Sequence, residues 1–272
     1  MGNRRLGRKR LESALKSMNS GKADSTGSRS GLKGIAIPSF ETQPSKYFGM
    51  FDDFHAVTSN QGVAVNNDAA QATSVDSDMW NAAIGGSSDA IATDSTKTGG
   101  VLKFTLGSSA GEETAITAPQ IGFKIDSSAN TSRKIWFEAR LQLDDISGAG
   151  FFVGLASNNG AIEATAIDSL EDGIGFICAT GATPNIMAIA AEGNSETQTD
   201  TTEDIADQTW VVLSFYFDGD SAHWYVNGDL KVSNKLTLPD DGTILLPHVE
   251  FTSVGTDQDV TYLDYVRCVM ER

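Results

Sequence analysis

From Ser45 onward, apolar and polar residues alternate with the two-residue period of a strand rather than with helical spacing. The clearest run is Ile135–Leu143. Ile135, Phe137, Ala139, Leu141 and Leu143 form one apolar face, and Glu138, Arg140 and Gln142 share the other with Trp136. Phe151–Leu155 follows after the turn-like Asp144–Gly150, so the two segments predict a hairpin. Trp210–Phe217 is rich in aromatic and β-branched residues, with both faces partly apolar, and predicts a central strand. Asp218-Gly219-Asp220 turns the chain into Ala222–Val226, and Asn227-Gly228, a strong short hairpin signal, turns it again into Leu230–Val232. Further strands are predicted at Val101–Leu106, Ile121–Ile125, Gly173–Cys178, Ile186–Ala191, Leu245–Val254 and Val260–Met270. Asn60–Gly100 and Gly193–Asp207 are polar and rich in small residues, and read as long loops with short edge strands. No long amphipathic helix interrupts the series and no fixed-period repeat occurs, so the pattern predicts an all-β antiparallel sandwich.

Charge divides the chain into two parts. Residues 1–46 carry ten Lys/Arg against Glu12, Asp24 and Glu41, a balance of +7; the whole chain stands at −16, so residues 47–272 carry −23. This predicts a basic N-terminal arm and linker over 1–46 and an acidic sandwich over 47–272. Residues 4–18 suit a short helix with Leu11, Ala14, Leu15 and Met18 on one face, while Ser, Gly, Lys and Thr dominate 19–34 as in a flexible linker. The arm reads either as a solvated tail or as a docking segment that orders on a partner. No aromatic is interleaved with its cations before Phe40, which argues against nucleic acid. No run approaches the roughly 18 apolar residues of a membrane span, and the basic start lacks the apolar stretch of a secretory signal. Leu6 stands where a myristoylation signal needs Ser or Thr. Cys178 and Cys268 are the two cysteines and are far apart, which excludes a disulfide scaffold and a cysteine-based zinc site.

Retaining glycoside hydrolysis needs two carboxylates about 5–5.5 Å apart. Glu138 has Arg140 and Gln142 as its same-face neighbours, so its strand face offers one carboxylate and predicts a solvent-face ion pair. Glu171 and Asp172 are adjacent and point to opposite faces of a strand. His55, His223 and His248 stand apart from any nucleophile elbow or cysteine partner, and Gly148-Ala149-Gly150 lacks the Lys-Ser/Thr of a phosphate loop. No catalytic residue is assigned. Asp144-Asp145, Asp168–Asp172 and Asp240-Asp241 lack the order of a dedicated calcium loop, so neither a metal nor a cofactor is assigned. Trp80, Trp136, Trp210 and Trp224 suit core packing better than sugar stacking. Trp136, with polar alternation partners, and Trp224, beside His223, are the candidates for a carbohydrate or interface contact.

The order of motifs is more specific than strand counting. Tyr47–Phe54, Trp80, Gly99–Phe104, Trp136–Arg140, Phe152–Leu155, Asp172–Phe176, Trp210–Leu213, Trp224-Tyr225-Val226-Asn227-Gly228 and Leu263–Val266 follow one another in the chain. Together they resemble the concanavalin A-like, laminin-G-like jelly-roll family. More narrowly, with the basic start MGNRRLGRKRL, they resemble jelly-roll virion proteins of tailed, especially marine, bacteriophages. That resemblance implies a structural protein of the capsid surface: a decoration or cement protein bound to the major capsid protein and self-associated as a homotrimer. Arg4, Arg5, Leu6, Arg8, Lys9, Arg10, Leu11 and Leu15 are then the shell-attachment residues. The alternative is a lectin-like adhesin of a tail or fibre that binds host surface glycans; the absence of heptads for a stalk favours the head.

Overall fold

A computed structural model describes residues 37–38, 41, 43–54, 73–74, 80–86, 88–125, 133–157, 170–178, 184–234, 238–239, 243–255 and 258–272. The attachment residues expected between Arg4 and Leu15, the helix read over 4–18, the linker and His55 lie outside them. Among the described residues every regular element is a strand, and the strands form two antiparallel sheets.

Sheet A contains β1 (Tyr47–Asp52), β4 (Ala90–Thr93), β5 (Leu102–Leu106), β7 (Ile135–Leu143), β12 (Val211–Phe217), β13 (Ala222–Val226), β14 (Asp229–Asn234) and β16 (Asp259–Glu271). Its order is β14-β13-β12-β7-β16-β5-β4, and β1 also pairs with β16. Sheet B contains β2 (Thr73–Ser74), β3 (Asn81–Ile84), β6 (Glu113–Thr117), β8 (Ala149–Ala156), β9 (Gly173–Cys178), β10 (Asn185–Glu192), β11 (Ser195–Asp204) and β15 (Leu246–Ser253). It runs β11-β10-β9-β8-β15-β6-β3-β2. The core lies between the sheets, where Phe104, Phe137, Phe215, Trp224 and Phe251 are fully buried. Phe137 and Phe215 face each other across β7 and β12 and stack at 5.1 Å with planes 9° apart. Each such ring contributes about 1.5–3 kcal/mol by leaving water.

β7 and β12 stand where alternation places them, and β12 is an interior strand flanked by β13 and β7. Asn227 and Gly228 both have positive φ, 51° and 82°, as a tight hairpin between β13 and β14 requires. Three expectations are corrected. β7 and β8 are not a hairpin: β7 pairs with β12 and β16 in sheet A, and β8 with β15 and β9 in sheet B. The Asp144–Gly148 segment carries the chain from one sheet to the other, because β8 is buried along its whole length and needs cover on both faces. Gly193–Asp207, expected as a long loop with short edge strands, is mostly strand: β11 is an edge strand of ten residues, entered through Gly193 and Asn194 at φ 57° and 64°. Ile121–Ile125 forms only a single bridge, between Phe123 and Leu245.

Close approach shapes sheet B at one place. Gly154 and Gly175 pair across β8 and β9, and a Cβ on Gly154 would lie 2.2 Å from the Ile174 carbonyl oxygen. A side chain there forces the two strands apart.

Candidate functional site

Alternation sends Trp136, Glu138, Arg140 and Gln142 to the outer face of sheet A, opposite the core positions of the same strand. Register then assembles rows across the strands. Tyr216 on β12 lies beside Trp136, which lies beside Val269 on β16. Their rings make a ladder. Tyr47 meets Trp136 edge-on at 6.1 Å, Trp136 stacks on Tyr216 at 5.3 Å, and Tyr216 stacks on His223 at 6.0 Å. Burial and the neighbouring Asp218 push the Tyr216 phenol up to about 12, so it stays protonated at neutral pH. His223 is held between the Ser233 hydroxyl at 2.8 Å and Asp218 at 3.2 Å.

In the next row, Ser214 lies beside Glu138, and Glu138 beside Arg267. Glu138 is 2% exposed and accepts a hydrogen bond from the Tyr265 hydroxyl at 3.0 Å. Its burial corrects the solvent-face position expected for it, in an ion pair with Arg140 or a neighbour. A bulge between Leu263 and Tyr265 turns both Asp264 and Tyr265 outward, and Arg140 pairs with Asp264 at 2.6 Å instead. Arg140 also sits over the Trp210 ring, and Lys97 lies 4.0 Å above Tyr262 and bonds to Gln142. The Arg267 guanidinium loses some basicity to burial, and Glu138 opposes that loss.

The chain entering β1 crosses this face. Ile37 packs against the cluster of Trp136, Tyr225 and Val269, and Arg267 donates a hydrogen bond to the Pro38 carbonyl at 3.1 Å. Beneath, Trp136 is 5% exposed. Its indole N–H and the Ser214 hydroxyl are buried without a hydrogen-bond partner. Buried polar groups are nearly always paired, so two orphans on one face mark it out. Trp224 goes elsewhere: it is 0% exposed in the core and donates to the Gly175 carbonyl at 2.9 Å. It faces neither solvent nor the Trp136 cluster, which corrects its candidacy for a carbohydrate or interface contact.

Sheet B carries a buried constellation that spacing alone did not reveal. The His248 imidazole lies 2.7 Å from the Thr117 hydroxyl and 3.1 Å from Glu250. Burial pushes His248 down to about 4, so the ring is neutral, accepting from Thr117 at Nδ1 and donating to Glu250 at Nε2. The hydroxyl–imidazole–carboxylate order is that of a nucleophilic triad, with His248 and Glu250 fully buried. The alternation His248-x-Glu250 was the available signal, since it puts both side chains on one face.

At one end of the sandwich Asp259, 7% exposed, sits near Asp144, Asp145 and Asp207 with Oδ2 unpartnered. Burial first, then those charges, push its carboxyl up to about 6. Among the described residues no group of three or more His, Cys, Asp or Glu converges closely enough to hold a metal. The Cys178 and Cys268 thiols are buried, and burial raises both above their usual range.

No known family model matches this chain, and no curated protein matches it. Solved structures do. An endo-1,3-beta-glucanase from Streptomyces sioyaensis superposes with a TM-score of 0.56 at 13% identity, over 87% of this chain and 99% of that one. This chain has the concanavalin A-like jelly-roll fold. A protein of unknown function from Shewanella oneidensis MR-1 gives 0.54 at 12% identity, covering 88% and 95%. The carbohydrate recognition domain of Emp47p gives 0.50 at 10%, covering 82% and 96%. These likenesses extend to the jelly-roll fold; the activities in their names belong to those proteins.

Proposed function

We propose that this chain is a non-catalytic, lectin-like jelly roll held on a larger assembly by its basic arm, as a decoration protein on a phage head. The observation that carries the reading is where the arm is rooted. Residues 37–38 lie on the outer face of sheet A, tied by Ile37 and by the Pro38–Arg267 bond, so the +7 segment leaves the acidic body from a fixed side. A cationic arm is drawn to an acidic shell at long range and then positioned by short contacts of Arg4, Arg5, Arg8 and Arg10. The MGNRRLGRKRL start supports the virion setting, and a trimer on the major capsid protein suits closed symmetric contacts.

The carboxylates of the face support a binding rather than a catalytic role. Glu138 is buried against Tyr265, and Asp264 is committed to Arg140, so neither is free to act as nucleophile or acid. Glycan binding is the second reading. It is favoured by the aromatic ladder and the two orphan polar groups beside it, on a fold shared with a carbohydrate recognition domain. The test for attachment is the full chain with Arg4, Arg5, Arg8 and Arg10 all changed to Glu, added to shells that lack it. Loss of binding at low salt is expected. Binding equal to wild type would place the attachment on the acidic body instead.

A further inference from the structure

We propose that Asp259 and the Asp144–Gly148 crossover form a binding site for a calcium ion at the end of the sandwich, where the chain passes from sheet A to sheet B. The site is independent of both the attachment and the glycan-binding readings.

Four stretches of chain meet at this end and are stitched by main-chain bonds. The Asp144 N–H donates to the Val260 carbonyl at 2.9 Å, the Gln208 N–H to the Leu143 carbonyl at 2.8 Å, and the Val254 N–H to the Gly148 carbonyl at 2.8 Å. The carboxylates on this frame are themselves oriented. Asp145 Oδ1 accepts from the Ser147 N–H at 2.8 Å and from its hydroxyl at 2.7 Å, and Asp207 Oδ1 accepts from the Ile146 N–H at 2.8 Å. Groups held in this way need little further ordering when an ion arrives.

The deciding observation is Asp259. It opens β16 and is 7% exposed, and its Oδ1 accepts from the Val260 N–H at 2.7 Å. Oδ2 is buried with no hydrogen-bond partner. That atom is aimed at the crossover: it lies 2.7 Å from where a Cβ on Gly148 would stand, in room that the glycine leaves open. Asp144, Asp145 and Asp207 act on it with charges of like sign. A dry carboxylate oxygen among like charges is costly, and a cation relieves both the missing bond and the repulsion.

Oxygen donors select a hard cation. Calcium suits the place better than magnesium, because it takes roughly six to eight oxygens in flexible arrangements, with main-chain carbonyls and water completing the shell. Among the described residues no three carboxylates converge on one point, so Asp259 and one aspartate of the crossover would ligate directly while the others supply negative field. A bound ion would tie the crossover to the start of β16.

The test uses the full chain, stripped with chelator and returned to calcium chloride, as wild type, Asp259→Asn and Gly148→Ala. Gly148→Ala keeps every charge but displaces Oδ2; the displaced atom is the tip of a side chain, so the backbone need not move. Thermal unfolding is followed against calcium concentration. In a second titration terbium replaces calcium, with Tyr262, bonded to Asp144, and Trp210 beside it as sensitisers of its emission. In chelator Asp259→Asn should be more stable than wild type, since it sheds one crowded charge. Calcium should raise the wild-type midpoint by about 5 °C or more at a hundredfold excess over half-saturation. Both substitutions should weaken half-saturation about tenfold or more, in both titrations. A wild-type midpoint that calcium leaves in place overturns the site. So does equal half-saturation in all three chains, which puts the ion elsewhere on the acidic body. Weakening by Asp259→Asn with Gly148→Ala like wild type also overturns it, because the carboxylate then acts through its charge and not from this position. Sensitised terbium emission is read on wild type alone, so its absence overturns the site even if a variant fails to fold.

Discussion

On the outer face of sheet B, Phe152, Ile177, Ile189 and Ala191 pack into a buried apolar patch with Leu170, and beside it Thr117, His248 and Glu250 are linked into a chain. On the outer face of sheet A, aromatic rings alternate with charged residues, and two buried polar groups, the Trp136 indole N–H and the Ser214 hydroxyl, are left without partners. Both faces come from the same antiparallel ladder and share one core. The difference teaches where to look for function. A face closed by apolar packing has been finished by folding, whereas orphaned donors on a face mark where a further partner is to be sought.

The sharpest way to break this comparison is to empty the patch on sheet B. Phe152→Ala should cost about 3–5 kcal/mol, read as a fall in the denaturant midpoint, because a fully buried ring leaves a cavity. A loss below about 1 kcal/mol would mean that the patch is not structural.

His248 offers a pH test of the same face. Its folded value of about 4 lies below the ordinary 6.5, so on acidification the unfolded chain takes up the proton first. Stability from this group is full above the ordinary value and falls as pH drops toward about 4, by roughly 3 kcal/mol in all. His248→Gln should flatten that part of the stability–pH curve; a slope unchanged by the substitution would place the titration elsewhere.

Asp259 works in the opposite sense and belongs to neither outer face, so it serves as a control. Its carboxyl is raised to about 6, so the folded state holds the proton longer and stability is lost as pH rises through that value. Asp259→Asn should stabilise the protein by about 1–2 kcal/mol at pH near 7 and by nothing at pH near 3.5, measured by thermal unfolding at both. Destabilisation at neutral pH would contradict the crowding by Asp144, Asp145 and Asp207.

The smallest effect is expected on sheet A. Ser214→Ala removes a hydroxyl without a partner and should shift stability by no more than about 0.5 kcal/mol, in either direction. A loss above about 1 kcal/mol would reveal a hydrogen bond that the structure does not contain.

Much of this architecture was legible in alternation. Ile135–Leu143 reads as a strand with these same bounds because its five inward positions are all apolar, and Asn227-Gly228 announces its own turn. What alternation leaves open is which strands pair. β8 is buried on both faces, and nothing local says that its partners are β9 and β15 rather than β7. The length of β11 was underestimated because an exposed edge strand needs no apolar face; its Thr-rich run and the Gly193-Asn194 turn were the available signals. In the site, Trp136 stood out by its polar neighbours, but Trp224 did not reveal that its indole N–H would find the Gly175 carbonyl across the core. The contact of Pro38 with Arg267 joins the two ends of the chain, and no pattern within either segment foretells it.

The proposed glycan-binding reading sets the face of sheet A around Trp136 apart from the core around Trp224. Tryptophan indole N–H signals in a nitrogen-edited NMR spectrum test that reading directly, with the full chain titrated with neutral hexasaccharides of glucose, mannose and N-acetylglucosamine. Trp136, whose N–H is unpartnered, should shift strongly, while Trp224, bonded to Gly175 in the core, should stay in place. A spectrum in which Trp136 does not move, or in which Trp224 moves as far, would contradict the account.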